Sequence, residues 1–434
     1  MSDKHQTYFE LRDGLARPGC VVCRLAARSV RRYLEALSFE SVNDHGLRAQ
    51  LRQARGFCNL HAWQLLDDVR DPFGAGIIYR DVLNHCAGLV EAGRVDALAP
   101  ERPCPGCVAR DEAAARYVDV LGELLREAAF AESVEAAGAL CWRHFALAVA
   151  RGGPGVRRLA AIELRVLRGE APAPAAALRS SARPGPGVRA GNAAPRPAPD
   201  EVVVDDLVAR AVGLPGVVGT VLDRLDARDW GGGPLADAGA VDPAAEDECA
   251  ACGVGRAAAA AAIGRLGGAP PGPLELCAPH AWRAVHHAGA HAVRARLVPL
   301  LDHLAERVEA AREELARAMP LALGPFEIAT PAARRARVEL ARRLGPGQGC
   351  AVCAAQVAAE ENAPPSARLC RAHILTWPAA VPSREEVSVW RGIVADLDEY
   401  IRKNDYRFRD EPRGEEQRSP WRAVAMVAGG RGLR

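Results

Sequence analysis

Cys20-Val-Val-Cys23, separated by 34 residues from Cys58-Asn-Leu-His61, supplies with it three thiols and one imidazole. Such soft and borderline donors close a tetrahedron around Zn²⁺. The pattern recurs as Cys104-Pro-Gly-Cys107 with Cys141-Trp-Arg-His144, as Cys249-Ala-Ala-Cys252 with Cys277-Ala-Pro-His280, and as Cys350-Ala-Val-Cys353 with Cys370-Arg-Ala-His373. Twelve of the thirteen cysteines fall into these sets, leaving only Cys86. A single CxxC arises by chance, but four copies, each followed by CxxH, do not. The chain is therefore read as repeated units, each pinned by its own Cys3His site.

Each unit reads as helical. Pro18-Gly19 bends the chain at Cys20, and Leu25, Ala26, Val30, Tyr33, Leu34 and Leu37 then follow helical spacing. Asn43 and Asp44 are candidate N-caps of a short second helix running to about Arg55. Gly56 breaks it, Cys58 and His61 open a third helix carrying Trp63, and Gly76 to Glu91 forms a fourth. On this reading the metal joins the start of the first helix to the start of the third. Residues 100–170 repeat the plan: Tyr117, Val118 and Leu121 follow Cys107 at the distances at which Tyr33, Leu34 and Leu37 follow Cys23. The duplication is thus one of a fold and not only of a motif.

The expected organisation is all-α, in two halves. Residues 1–170 form a helical domain with two units, and the Pro/Ala/Gly-rich residues 171–200 form a disordered linker. Residues 201–384 form a domain with two shortened units, and 385–434 form a helix with a charged aromatic tail. The second half opens on Glu201–Val212, which reads as a helix, with a Gly-rich break at Trp230. Spacing between ligand pairs shrinks to 24 residues in the third unit and 16 in the fourth, where Pro364-Pro365 ends the first helix early. Trp282 stands in the third unit as Trp63 does in the first. Long helices are expected from about Ala288 to Ala318 and from Arg384 to Lys403.

Composition narrows the function. A net charge of +2, with only two lysines, gives no general attraction for nucleic acid or anionic membrane. No apolar run reaches the roughly 20 residues of a membrane span. The polar N-terminal stretch has no signal-peptide core, so a cytoplasmic location is expected. In that reducing setting paired cysteines bind metal or react, and do not staple the fold as disulfides.

The Pro-Gly-Cys-x-x-Cys helix, the Gly-Phe-Cys-x-x-His-Ala-Trp helix, the following Gly-Ile-Ile-Tyr-Arg-Asp and the segment from Tyr400-Ile-Arg-Lys-Asn-Asp-Tyr-Arg-Phe to Gly414-Glu-Glu resemble an uncharacterised bacterial family, a domain of unknown function. The resemblance covers about residues 5–170 and 385–430, and it implies an α-helical metal-site fold without supplying an activity. Family members are usually shorter, so the third and fourth units look like an extra or diverged copy.

Three thiolates and one imidazole saturate zinc, whereas catalytic zinc keeps a position open for water. Ligands at helix starts also lie in the positive end of the helix dipole, which favours thiolate. The expected role is a non-enzymatic zinc-binding scaffold or protein-interaction module holding about four Zn²⁺, with another protein as partner. A thiol redox sensor that releases zinc on oxidation, a nucleic-acid-binding regulator and a three-Cys, one-His iron–sulfur centre stay open as other readings. An enzyme would require one site to lose a ligand and admit water. His287 and His291, four apart beside His286 and His303, could hold a further metal, although exposed helix positions explain them as well. Cys86, next to His85, reads as a core thiol. Asp405, Arg407, Arg409, Asp410 and Glu411, with Tyr406 and Phe408, read as a charged tail, solvated or docked by salt bridges, or as the lining of a binding groove. No phosphate-binding loop, nucleophile elbow, HExxH or Rossmann fingerprint is present.

Overall fold

A computed structural model describes residues 2–16, 19–170, 249–266, 276–287, 290–318, 321–323, 326–328, 330–344, 349–363, 369–376, 384–408 and 410–430. The linker at 171–200, the helical reading of 201–212, the break at Trp230 and Pro364-Pro365 lie outside the described residues.

The architecture is all-α, as expected. The N-terminal part comprises α1 (Ser2–Leu15), α2 (Val21–Glu40), α3 (His45–Ala54), α4 (Asn59–Asp67), α5 (Pro72–Glu91), α6 (Pro105–Leu124), α7 (Ala128–Ala136), α8 (Trp142–Arg151) and α9 (Val156–Leu167). After residue 249 come α10 (Ala250–Arg265), α11 (Ala278–His287), α12 (Ala290–Ala318), α13 (Pro331–Leu344), α14 (Ala351–Glu361), α15 (Arg371–Thr376), α16 (Arg384–Lys403) and α17 (Ser419–Ala428). Among the described residues the only strands are a three-residue antiparallel pair, Leu321–Leu323 with Phe326–Ile328. Neither that hairpin nor α13 was legible in the sequence pattern.

Local signals act where the sequence put them. Cys20, Cys58, Cys104, Cys141, Cys249 and Cys350 each occupy the N-cap of a helix. Asp44 caps α3 by accepting the Leu47 N–H at 2.7 Å. Val30, Leu34 and Leu37 of α2 are buried, and so are Tyr117, Val118 and Leu121 of α6.

The two CxxC helices α2 and α6 pack against each other and run in opposite directions. Val21, Val22, Leu25 and Ala26 at the start of α2 share a core with Ala113 to Leu121 in the later turns of α6. The later residues Val30, Leu34 and Leu37 belong instead to a second core, on which Cys104 at the start of α6 packs. Tyr33 agrees: burial raises its phenol, and the nearby Cys104 sulfur raises it further.

Both cores draw on both parts of the chain. One joins α1, the start of α2, α6 to α9, and side chains of α10 to α13. The other joins the end of α2, α4, α5 and side chains from the start of α10, from α15, α16 and α17. The C-terminal helices α16 and α17 lie on α5 of the first unit.

The charged tail after α16 is docked by ion pairs. Arg402 bridges Glu399 at 2.8 Å and also pairs with Glu411, while its guanidinium lies 4.5 Å from the Phe408 ring centroid. Lys403 donates to the Pro412 carbonyl at 2.7 Å and lies 3.2 Å from the buried Glu416 carboxylate. Gly414 N–H donates to the same carboxylate at 2.8 Å. No helix among the described residues is long and apolar enough to cross a membrane.

Candidate metal centres

The sixteen candidate Cys and His ligands gather into four sets, but not along the chain. Site I is Cys20, Cys23, Cys141 and His144, and site II is Cys58, His61, Cys104 and Cys107. Site III is Cys249, Cys252, Cys370 and His373, and site IV is Cys277, His280, Cys350 and Cys353. Each site takes its CxxC from one unit and its CxxH from the neighbouring one, which corrects the expectation that a unit closes its own site. The physical reason is helix length. The 20 residues of α2 span about 30 Å at about 1.5 Å per residue. The chain leaves the far end of α2 and reaches Cys58 through the ten-residue α3, so the first CxxH stays at that far end. Antiparallel α6 begins there and brings Cys104 and Cys107 to meet it.

The geometry within each set is that of a tetrahedron of four donors. With metal–sulfur bonds of about 2.3 Å and metal–nitrogen bonds of about 2.0 Å, sulfur–sulfur edges come to roughly 3.8 Å and sulfur–nitrogen edges to roughly 3.5 Å. In site I, Cys23 and Cys141 sulfurs are 3.6 Å apart, and the His144 Nδ1 lies 3.4, 3.3 and 3.3 Å from Cys20, Cys23 and Cys141. In site II, Cys58 and Cys107 are 3.6 Å apart, with His61 Nδ1 3.2 to 3.6 Å from the three sulfurs. Site III has Cys252 and Cys370 at 3.8 Å and His373 Nδ1 at 3.2 to 3.4 Å from its sulfurs. Site IV has Cys277 and Cys353 at 3.6 Å and His280 Nδ1 at 3.2 to 3.4 Å. A disulfide needs its sulfurs about 2.05 Å apart, and none of the thirteen cysteines forms one.

The electrostatics also favour a cation. Three sulfurs in mutual contact cannot all ionise on their own, because each thiolate repels the next. Hydrogen bonds from Cys107 and Cys58 hold the Cys104 thiol down at about 3, and the same contacts push Cys58 far up. Cys249 and Cys350 are likewise lowered while Cys252 and Cys277 are raised, in each case by hydrogen bonds among the sulfurs of the set. A bound dication would let all three ionise, which is how metal binding and proton release are linked.

The sites differ in their surroundings. In site III the three cysteines are buried, and His373 Nε2 meets Glu360 Oε2 at 3.3 Å. Gln356 Nε2 donates to the other Glu360 oxygen at 2.7 Å, and the carboxylate lies against Gly255 of α10, where any side chain would collide with it. A carboxylate on the outer nitrogen fixes the ring and its tautomer. In site II the neighbour is Gly106, whose missing Cβ would stand 2.7 Å from His61 Cγ. The sulfurs of sites II and IV are half-buried, while His61 and His280 are buried.

The remaining sequence candidates are placed as follows. His303 is exposed, its Nδ1 3.9 Å from Glu306. The side chains of His286, His287 and His291, and all of Arg409, lie outside the described residues. Cys86 is buried, and burial pushes its thiol up to about 11, as befits a core residue. Sequence reasoning missed Glu360, Gln356, Asn59 and Arg371. The last two stand directly after the cysteine of a CxxH, but nothing in their residue type marks them.

Together these features define a class: an all-α protein of repeated units with four Cys3His clusters able to hold metal ions. No protein-family model matches the chain, and no solved structure does. Among curated proteins it is similar to an uncharacterised 23.9 kDa protein of Caldicellulosiruptor sp. (strain Rt8B.4), with 38% identity over 64 residues. That match covers 15% of this chain and 30% of the relative, so the chain spans less than a third of the relative's length.

Proposed function

We propose that the protein is a non-enzymatic zinc-binding helical scaffold or protein-interaction module, with Zn²⁺ held at sites I to IV by Cys20, Cys23, Cys141 and His144; Cys58, His61, Cys104 and Cys107; Cys249, Cys252, Cys370 and His373; and Cys277, His280, Cys350 and Cys353. The observation that carries this reading is the four tetrahedral sets of three sulfurs and one nitrogen. Such a set saturates zinc and leaves no position for an attacking water. Every ligand pair lies at or beside a helix start, so the metal's task is to clamp helix ends from different units. Another protein is the proposed partner, in keeping with the near-neutral net charge of +2, and a reducing compartment such as the cytoplasm suits the free thiols. Elemental analysis of protein purified without chelator tests the reading. About four zinc per chain, with helicity lost on chelation, supports it; iron, or no metal at all, overturns it.

The half-buried sulfurs of sites II and IV favour a second reading, a peroxide sensor. Two thiolates would pass two electrons to hydrogen peroxide, which with two protons from solvent becomes two waters, while the sulfurs form one disulfide and release zinc. Loss of free thiols at these two sites under mild peroxide, ahead of sites I and III, would support it; equal loss everywhere would not.

A further inference from the structure

Helix α17 ends at Ala428, and its last carbonyls point beyond the helix without intrahelical partners. They are capped by side chains from two different metal sites. Arg371, directly after Cys370 of site III, donates from Nε to the Val427 carbonyl at 3.1 Å. Asn59, directly after Cys58 of site II, places its buried Nδ2 within 2.9, 3.2 and 2.7 Å of the Ala428, Gly429 and Gly430 carbonyls. Trp63, one turn along α4, donates from its indole to Gly429 at 3.1 Å. The segment then answers: the Gly430 N–H donates to the Cys252 sulfur of site III at 3.3 Å. Gly429 has φ +86°, and a Cβ there would stand 3.6 Å from Asn59 Nδ2 and 3.8 Å from the Cys252 sulfur, so the segment runs between the two sites. At the equivalent positions of the other CxxH motifs stand Trp142, whose ring lies 5.4 Å from the Arg307 guanidinium carbon, and Ala278, which has no side-chain donor.

We infer that Val427–Gly430 is a latch that couples metal binding at site II to metal binding at site III. The inference rests on the metal-binding reading of these sites and adds to it a regulation. Metal at site II holds the start of α4 and with it Asn59 and Trp63. Metal at site III holds the starts of α10 and α15 and with them Cys252 and Arg371. The segment makes its full set of hydrogen bonds only when both are in place. Loss of metal from one site therefore frees part of the latch and loosens the other, and linkage makes the effect reciprocal. Sites I and IV, built into the other core, do not take part.

Cysteine alkylation in the presence of chelator, read residue by residue by mass spectrometry, tests the coupling on the full chain. Cys249→Ser disables site III, and Cys58, Cys104 and Cys107 should then label about tenfold faster than in the unaltered protein, within the usual range of coupling between sites. Asn59→Leu keeps every metal ligand but removes the latch contacts on the site II side. It should speed labelling of Cys249, Cys252 and Cys370 by a similar factor, with the cysteines of sites I and IV unchanged. Ordinary labelling rates at the distant site in both variants would overturn the inference. So would equal acceleration at all twelve ligand cysteines in Asn59→Leu, which would indicate general loosening. If the metal-binding reading itself were wrong, all twelve would label rapidly in the unaltered protein before any chelator was added, a separate outcome.

Discussion

Among the ligands, the residue types alone define the chemistry, and the side chains around them set how firmly each site holds. Glu360 is the clearest case, since its carboxylate orients His373 while Gln356 and the bare surface of Gly255 hold it in position. Glu360→Gln should weaken metal retention at site III by about 10- to 100-fold, the usual effect of losing such an outer partner. Chelator competition, followed through labelling of Cys249, Cys252 and Cys370, reads it. Gly106 makes the opposite point, because there the lack of a side chain admits the His61 ring. Gly106→Ala should cost about 1–3 kcal/mol through overpacking, seen as a lower thermal midpoint and early metal release at site II. The clustered Cys and His residues were legible as CxxC and CxxH. Glu360 was not, because it becomes a neighbour of His373 only when α14 packs on α10.

At the scale of elements, the helices followed their local signals closely. Asp44 caps where expected, α16 spans Arg384–Lys403 as read from the pattern, and the stripes of α2 and α6 are buried. The segment joining α16 to α17 is the element whose behaviour should depend on acidity. Hydrogen bonds from Arg402 hold the Glu399 carboxyl down at about 2 and lower Glu411 as well. At Glu416 burial acts upward, and the Gly414 N–H together with Lys403 outweighs it. Groups whose folded values are depressed stabilise above their ordinary value and lose that contribution as pH falls through the folded one. Docking of this segment should therefore weaken as pH drops from about 4.5 toward about 2. The Arg402 pairs are partly solvent-exposed, so their contribution is modest. Amide exchange of residues 405–418 across that range measures it, and Arg402→Ala should flatten the dependence.

For the whole molecule, the arrangement of the cores carries the main consequence. Because each core contains side chains from before residue 170 and after residue 249, the two parts bury apolar surface against each other. Cutting the chain at a protease site introduced between residues 171 and 200 should leave the two fragments eluting together in gel filtration. Removing metal should then separate or unfold them, since the sites clamp the helix starts that form both cores. Independent elution with metal bound would show that the shared cores contribute little.

What the sequence determined by itself was the all-α class, the repeat, the Cys and His residues that gather into clusters and most helix boundaries. These follow from residue type and short-range periodicity, which act within a few turns of chain. The pairing of ligands was decided by tertiary structure alone. In the first two units a CxxC and the next CxxH are near in sequence, yet a helix of some 30 Å stands between them, and only the antiparallel packing of α2 on α6 determines which motif waits at its far end. The latch at Val427–Gly430 is of the same kind. Asn59 and Gly430 lie 371 residues apart in the chain and meet only because α17 returns to the first unit.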